Sequence, residues 1–436
     1  MADAAHGFKI DQEKCRGCLS CMRVCPTHAI RVKRFKAQHR LDQCIDCGLC
    51  LPVCPDNAIS ATTCSVADLD RYRFKVAVPC PVLFGQFPTG ITPAQIVEGL
   101  LAVGFDAVWD YSVEIALVAR AIRDYLEQWT GPTPLISVSC PVVVRLVQVA
   151  YPRMVEQLIP IQIPRELAGR EAKRRYSAQL GLHEDDIAAI YITPCQAKTI
   201  SILQPAEGVV SNLDGAMAIT DVYNAILAYG KAQGVDAGRD SRRDLIRNSS
   251  LLREHVSEGL GRLDQNQRYL RVTGLSNTIQ VFDDIEKGRL RNVGFLEAHS
   301  CWSGCSGGNL TVANVYVTRT KFHALMRTLP QTDPETDAEL SRRYPHEDFS
   351  LAAPIRPRPI RGRTGTLRQR VQMVQLAEST LASLPGLDCG LCGAPTCKEL
   401  AKDVSTGDAG KTDCVFFSKT RLDELRAAYV RPQRHE

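Results

Sequence analysis

From residue 72 to about 325, short apolar runs alternate with amphipathic stretches, the rhythm of layered α/β structure. FKVAVPC at 74–80 predicts a strand, and Thr92 followed by Pro93 predicts a capped helix ending near Gly104. FDAVWD predicts the next strand, SVEIALVARAIRDYLEQW a helix, and PLISVSC at 134–140 a further strand; IAAIYITPC and VGFLEAHSC repeat the form. Four predicted strands therefore deliver Cys80, Cys140, Cys195 and Cys301 to their C-terminal ends, where open parallel sheets place ligand sites. These thiols are expected to converge. Cys305 follows in CWSGCSGGN, where Gly304, Gly307 and Gly308 would let backbone approach a bulky inorganic group. Any one buried cysteine is ordinarily a core residue; the shared position at strand ends argues for a site.

The 436 residues, 44% hydrophobic and 23% charged, describe an ordinary globular chain with room for two to four domains. Pro141 and Arg145 interrupt the best apolar run and the start MADAAHGFKI lacks a signal peptide's apolar stretch, so no membrane span and a cytoplasmic location are expected. A net charge of +5 predicts neither nucleic-acid nor membrane binding by itself. Eighteen cysteines change the picture: in a reducing compartment they point to metal ligation rather than disulfides.

Cys15, Cys18, Cys21 and Cys25 precede Pro26, and Cys44, Cys47, Cys50 and Cys54 precede Pro55, each as C-x2-C-x2-C-x3-C-P. In this pattern three close thiolates wrap one 4Fe-4S cube and the fourth reaches the other. Cys15, Cys18, Cys21 and Cys54 are thus expected to hold one cube, and Cys44, Cys47, Cys50 and Cys25 the second. Paired zinc sites are the plain alternative, but they usually join separated C-x2-C knuckles. The segment resembles a bacterial two-cluster ferredoxin. Between the runs, RVKRFKAQHR reads as a solvated hairpin, with docking of an acidic partner as the other option.

Beyond residue 350, APIRPRPIRGRTGTLRQR reads as an exposed linker, and nucleic-acid binding is not expected because no aromatic residues interleave the charge. Cys389, Cys392, Cys397 and Cys414 then offer a complete set of four ligands for one more 4Fe-4S cluster or, alternatively, zinc.

SVSCP, TPCQAK and EAHSCWSGCSGG resemble, in order, the three signature segments of FeFe hydrogenases. The resemblance implies an H-cluster: a 4Fe-4S cube held by Cys140, Cys195, Cys301 and Cys305, with Cys305 bridging to a two-iron unit that bears CO, cyanide and a bridging dithiolate. It also implies that Lys198 donates to a cyanide and that Cys80, in VPCPV, lies near the cofactor. Catalytic members carry a proton-relaying cysteine where this chain has Ser139, and a hydroxyl is too weak an acid to take that part by ionising. Relay carboxylates of the helix after FDAVWDY are missing from LVARAIR, and methionines of the family are replaced by Thr193 and His299. His299 is expected to hydrogen-bond the two-iron unit or titrate near it, or else to be a satisfied core histidine.

The cysteine set at the end, CGLCGAPTCKELAKDV with Cys414, resembles the small module of sensory FeFe hydrogenases. The fold implied is an α/β hydrogenase domain at 66–345 with parallel sheets and cluster ligands at strand C-terminal ends. A ferredoxin-like α+β module at 1–65 precedes it; a basic linker at 346–370 and a small iron-sulfur module at 371–436 follow. The function implied is reversible H2 oxidation, slow and sensory, with H2 and protons, hydrogenase maturases and a redox or signalling protein as partners. A catalytic hydrogenase with a substitute proton path and an assembly or electron-transfer protein lacking the two-iron unit are the alternatives. Oligomeric state is left open, a dimer included.

Overall fold

The computed structural model describes residues 6–233, 268–328, 334–360 and 365–417, so residues 361–364 of the expected linker and 418–436 of the expected C-terminal module lie outside it. Its contacts divide the chain into two units.

One unit is built from residues 8–45, 49–60 and the chain from 358 onward. Its N-terminal part contains β1 (Phe8–Ile10), α1 (Ser20–Val24), the antiparallel hairpin β2 (Ile30–Lys33) and β3 (Lys36–His39), and β4 (Ile59–Ala61). Arg34 and Phe35 turn the hairpin with φ of 51° and 60°. Contrary to the solvated hairpin expected from sequence, the basic stretch is partly buried: Arg31 is 2% exposed, and its Nη2 donates to Glu399 at 2.9 Å while Nε donates to Asp403 at 2.5 Å. Both carboxylates lie on the helix Cys397–Ser405, capped by the Thr396 side chain. The sequence-based division kept the N-terminal and C-terminal cysteine modules apart, whereas this buried ion cluster ties them into one unit.

The other unit takes residues 46–48 and 61–357, with the N-terminal residues up to Gly7. Its first sheet is parallel, ordered β6 (Ala107–Val108), β5 (Phe74–Pro79), β8 (Ile187–Thr193), β9 (Gly215–Ala218). Both its central strands are apolar throughout their inner length, as a sheet covered on two faces requires. The helices α2 (Pro93–Val103), α3 (Ser112–Gln128) and α5 (Pro164–Leu180) belong to this unit; Thr92 and Gln95 close a capping box on α2. A second parallel sheet is ordered β10 (Tyr269–Thr273), β11 (Phe295–His299), β7 (Leu135–Ile136).

Residues 347–357 are not an exposed linker: Ile355 is buried, the Leu351 N–H donates to the Pro160 carbonyl at 3.1 Å, and Gln148 Nε2 donates to the Arg356 carbonyl at 2.7 Å. Apolar residues spaced between the prolines and arginines give this segment a face to bury.

Candidate metal centre

Cys140, Cys195 and Cys301 of the central site each follow the end of a strand, and Cys140 and Cys195 also open a helix. β7 leads through Ser137 and Ser139 to Cys140, which precedes α4 (Pro141–Ala150) with Pro141 at its first turn. β8 leads to Cys195 ahead of α6 (Gln196–Leu203), and β11 leads to Cys301. Cys305 lies in the short helical turn Gly304–Gly307. Cys195 and Cys301 are driven up by burial and, next, by the other site thiols, Cys195 to about 11, so Cys140, Cys195, Cys301 and Cys305 form one electrostatic cluster. None of the eighteen cysteines is paired in a disulfide.

The glycines of the third segment serve a purpose the sequence reading did not give them. A side chain at Gly308 would come within 2.3 Å of the Pro194 carbonyl oxygen, and one at Gly307 within 2.2 Å of the Trp302 carbonyl oxygen. They let backbone pack on backbone and hold the Cys305 turn against the end of β8. Gly304, at φ +71°, adopts a left-handed conformation that residues with a Cβ rarely enter.

Beside Cys305 lies a small cavity whose wall includes Ser139, Lys198, His299, Glu297, Tyr191 and Arg165. Lys198, 4% exposed, points its ammonium at the Cys305 sulfur (3.4 Å) and at the Tyr191 hydroxyl (3.3 Å). Burial works against the cation, but the negative charge of the Cys305 sulfur, the largest opposing influence, outweighs it and holds Lys198 protonated. Burial likewise opposes ionisation of Cys305, yet Lys198 and then His299 draw it down to about 6. His299 is buried, with Nε2 2.8 Å from Glu297; Glu297 also accepts from the Tyr269 hydroxyl at 2.6 Å. Cys80 is fully buried and faces the Tyr191 and Lys198 side of this wall. Ser139 accepts a hydrogen bond from the Ser137 hydroxyl at 3.0 Å. From α3, Val118 and Ile122 line the cavity, both apolar.

Sequence reasoning missed Glu297, Tyr191, Tyr111 and Arg165. The alternation of β11 placed Glu297 on the face it shares with His299, which was a usable signal; Arg165 lies at the start of a helix with no motif to mark it. Tyr111 and Tyr191 join hydroxyl to hydroxyl at 3.3 Å.

In the other unit, burial raises Cys21 to about 11, followed by the charges of Cys18, Cys15 and Cys54, so these four thiols are neighbours. Backbone N–H groups point at sulfur: Ala37 at Cys15 (3.3 Å), Ala29 at Cys25 (3.1 Å) and Ala58 at Cys54 (3.2 Å). Cys44 and Cys50 are buried and Cys47 is half-buried. Cys397 and Cys414 are buried in a small apolar core with Leu384 and Leu400, and Cys389 and Cys392 stand half-buried at its edge. Cys64 packs on Gly215.

These donor sets fit iron-sulfur clusters, and known proteins match in the same places. Residues 74–228 match the iron only hydrogenase large subunit, C-terminal domain; residues 8–55 match a 4Fe-4S dicluster domain; residues 384–416 match an Fe-S cluster family. Iron hydrogenase 1 of Clostridium pasteurianum is 22% identical over 62% of this chain and 53% of its own. The periplasmic [Fe] hydrogenase large subunit of Nitratidesulfovibrio vulgaris is 26% identical over 57% of this chain and 63% of its own. The chain thus spans about half to two thirds of the length of these relatives. A solved [FeFe]-hydrogenase HydA1 from Chlamydomonas reinhardtii aligns with a TM-score of 0.48 and 16% identity, over 68% of this chain and 97% of that one. The cysteine sets and family matches make the chain similar to iron-only hydrogenases, with iron-sulfur domains at both ends. Among the described residues no helix is long and apolar enough to cross a membrane.

Proposed function

We propose that this chain is a hydrogenase-type oxidoreductase of low turnover that interconverts H2 with protons and electrons, and that its role is sensory, reporting hydrogen or redox state to a separate protein. Cys140, Cys195, Cys301 and Cys305 would hold a 4Fe-4S cube, with Cys305 shared with a two-iron unit in the adjoining cavity. When bound, that group supplies the two-electron chemistry of H2. The convergent thiols, the buried ammonium of Lys198 on Cys305 and the cavity beyond support this assignment. Lys198 provides a fixed positive charge for anionic ligands, and His299, oriented by Glu297, offers a second polar group to the same space. The terminal cysteine sets would carry two 4Fe-4S clusters at the N-terminal end and one at the C-terminal end, as an electron route to the partner. Hydrogenase maturases are the implied source of the two-iron unit, and a cytoplasmic setting suits both.

The observation that carries the low-turnover reading is Ser139. At the cavity wall where a relay acid would stand there is a hydroxyl bonded to Ser137, and α3 presents Val118 and Ile122 rather than carboxylates. Hydrogen oxidation and evolution by the matured protein, normalised to two-iron content, test it. High turnover in either direction removes the reading.

A catalytic reading with a substitute proton path has one observation in its favour: His299, Glu297 and the half-buried Tyr269 form a continuous hydrogen-bonded line away from the cavity. Tyr269→Phe breaks the line at its outer end without touching the cavity. Turnover that falls in this variant at unchanged cofactor content supports the catalytic reading.

A further inference from the structure

The cavity holds a second buried cation whose bonding is incomplete. Arg165, at the first turn of α5, is 4% exposed. Its Nη2 donates to the Ser201 hydroxyl at 2.6 Å and its guanidinium lies 5.8 Å from the Tyr191 ring centre. Nε, however, is buried with no hydrogen-bond partner among the described residues. The nearest carboxylate oxygen is on Glu166 at 3.9 Å, and that carboxylate is already occupied by the Ser211 hydroxyl and the Asn212 N–H. Arg165 lines the cavity together with Lys198 and Cys305, and also lines a larger neighbouring cavity of ≈ 320 Å³ that shares Val138, Gln162 and Ile163 with it.

A guanidinium cannot relieve this by losing its proton, because it stays charged at any pH the protein meets. Leaving a buried charged donor unmet costs more than an ordinary missing bond. Lys198 is satisfied by Cys305 and Tyr191, so its presence does not explain Arg165. Glu297, the carboxylate of the cavity wall, is taken by His299 and Tyr269. With Lys198 turned to Cys305 and Glu297 committed to His299 and Tyr269, the Arg165 Nε–H is left as a charged donor that no anion of the cavity wall meets at hydrogen-bond distance, which suits an anionic occupant.

We propose that Arg165 is a positioning residue for the two-iron unit, its free guanidinium N–H donating to a cyanide ligand other than the one served by Lys198. This rests on the two-iron reading above. The physical basis is a charge-assisted hydrogen bond to a small anion whose nitrogen carries an exposed lone pair.

The experiment is infrared spectroscopy of matured full-length protein, native and with Arg165→Gln or Arg165→Lys, alongside iron analysis. Arg165→Gln is expected to shift one cyanide band and leave the other near its native position, with the iron of the cubes retained. Arg165→Lys keeps the charge but offers a different donor geometry, so the same band should move less. Loss of all CO and cyanide bands in both variants, with native cube iron and an unchanged thermal midpoint, also supports the proposal, since the unit then fails to stay without Arg165. Cyanide bands at native positions in both variants overturn it while leaving the two-iron reading intact. Absence of CO and cyanide bands from the native matured protein overturns both.

Discussion

The Lys198 ammonium, 4% exposed, lies 3.4 Å from the Cys305 sulfur in the wall of the small cavity. This is a lysine brought from the first turn of α6 to a thiol 107 residues later. Each stabilises the charge of the other, and the pair marks the wall that an anionic metal group would face.

Lys198→Met removes that charge while keeping a long apolar side chain. A hydrogen bond to a charged group is worth about 1.5–3 kcal/mol, so two-iron occupancy should fall by one to two orders of magnitude at limiting maturation, by about tenfold for each 1.4 kcal/mol. Infrared intensity of the CO bands per cube measures it. Native intensity in the variant would show that Lys198 does not face the unit.

Ser139→Cys should raise hydrogen turnover in both directions. A well-placed acid-base group contributes about 10²- to 10⁴-fold, and the apolar Val118 and Ile122 beyond it should keep the gain well below that ceiling. Ser139→Ala should lower turnover further, because the hydroxyl held by Ser137 is the polar group remaining at that point of the wall. Serine and cysteine are close in size, so thermal midpoints should match across the series. Rates unaffected by both substitutions would place proton delivery elsewhere.

Fully loaded protein should contain about 18 iron atoms, 16 from four cubes and 2 from the two-iron unit. Cys414→Ser should remove about 4 of these and leave the CO and cyanide bands unchanged, because Cys414 belongs to the small core around Leu384 and Leu400. Iron content near eight after anaerobic reconstitution would eliminate two of the cubes.

Arg31→Met should destabilise the unit that contains both terminal cysteine modules. Glu399 would keep Lys402 at 2.6 Å and Asp403 would keep Arg40 at 2.9 Å, but both would lose their shared buried cation. The loss should therefore fall below the roughly 3–5 kcal/mol that removing the sole partner of a buried charge costs. Adding Glu399→Gln and Asp403→Asn to Arg31→Met should recover much of the loss. Circular-dichroism melts, read together with iron retention, check both steps; a midpoint unchanged in the single variant would mean the ion cluster contributes nothing.

Elements and cysteine-rich segments were legible in the sequence wherever the chemistry is local. Alternation and capping marked β5, α2, α3, β8 and β11, and cysteine spacing marked the terminal cluster runs, because three thiols within seven residues can wrap one cube whatever the rest of the chain does. The strand-end position of Cys80, Cys140, Cys195 and Cys301 was likewise a property of hydrophobic runs that stop. What pairs with what was not legible. Arg31 looked like one charge in a basic hairpin, and only folding brought Glu399 and Asp403 to it from more than 360 residues away. Nothing in the sequence set Arg165 apart at the start of a polar helix; the packing of α5 over β8 buries it against Tyr191. The same holds for Glu297, whose carboxylate is decided by His299 two residues on and by Tyr269 across the parallel pair β10 and β11. Sequence alone determined which atoms could bind iron, because ligand chemistry depends on residue type and short spacing. Tertiary structure decided which charges meet in the low-dielectric interior, because the energy of a buried charge depends on neighbours that the chain order does not reveal.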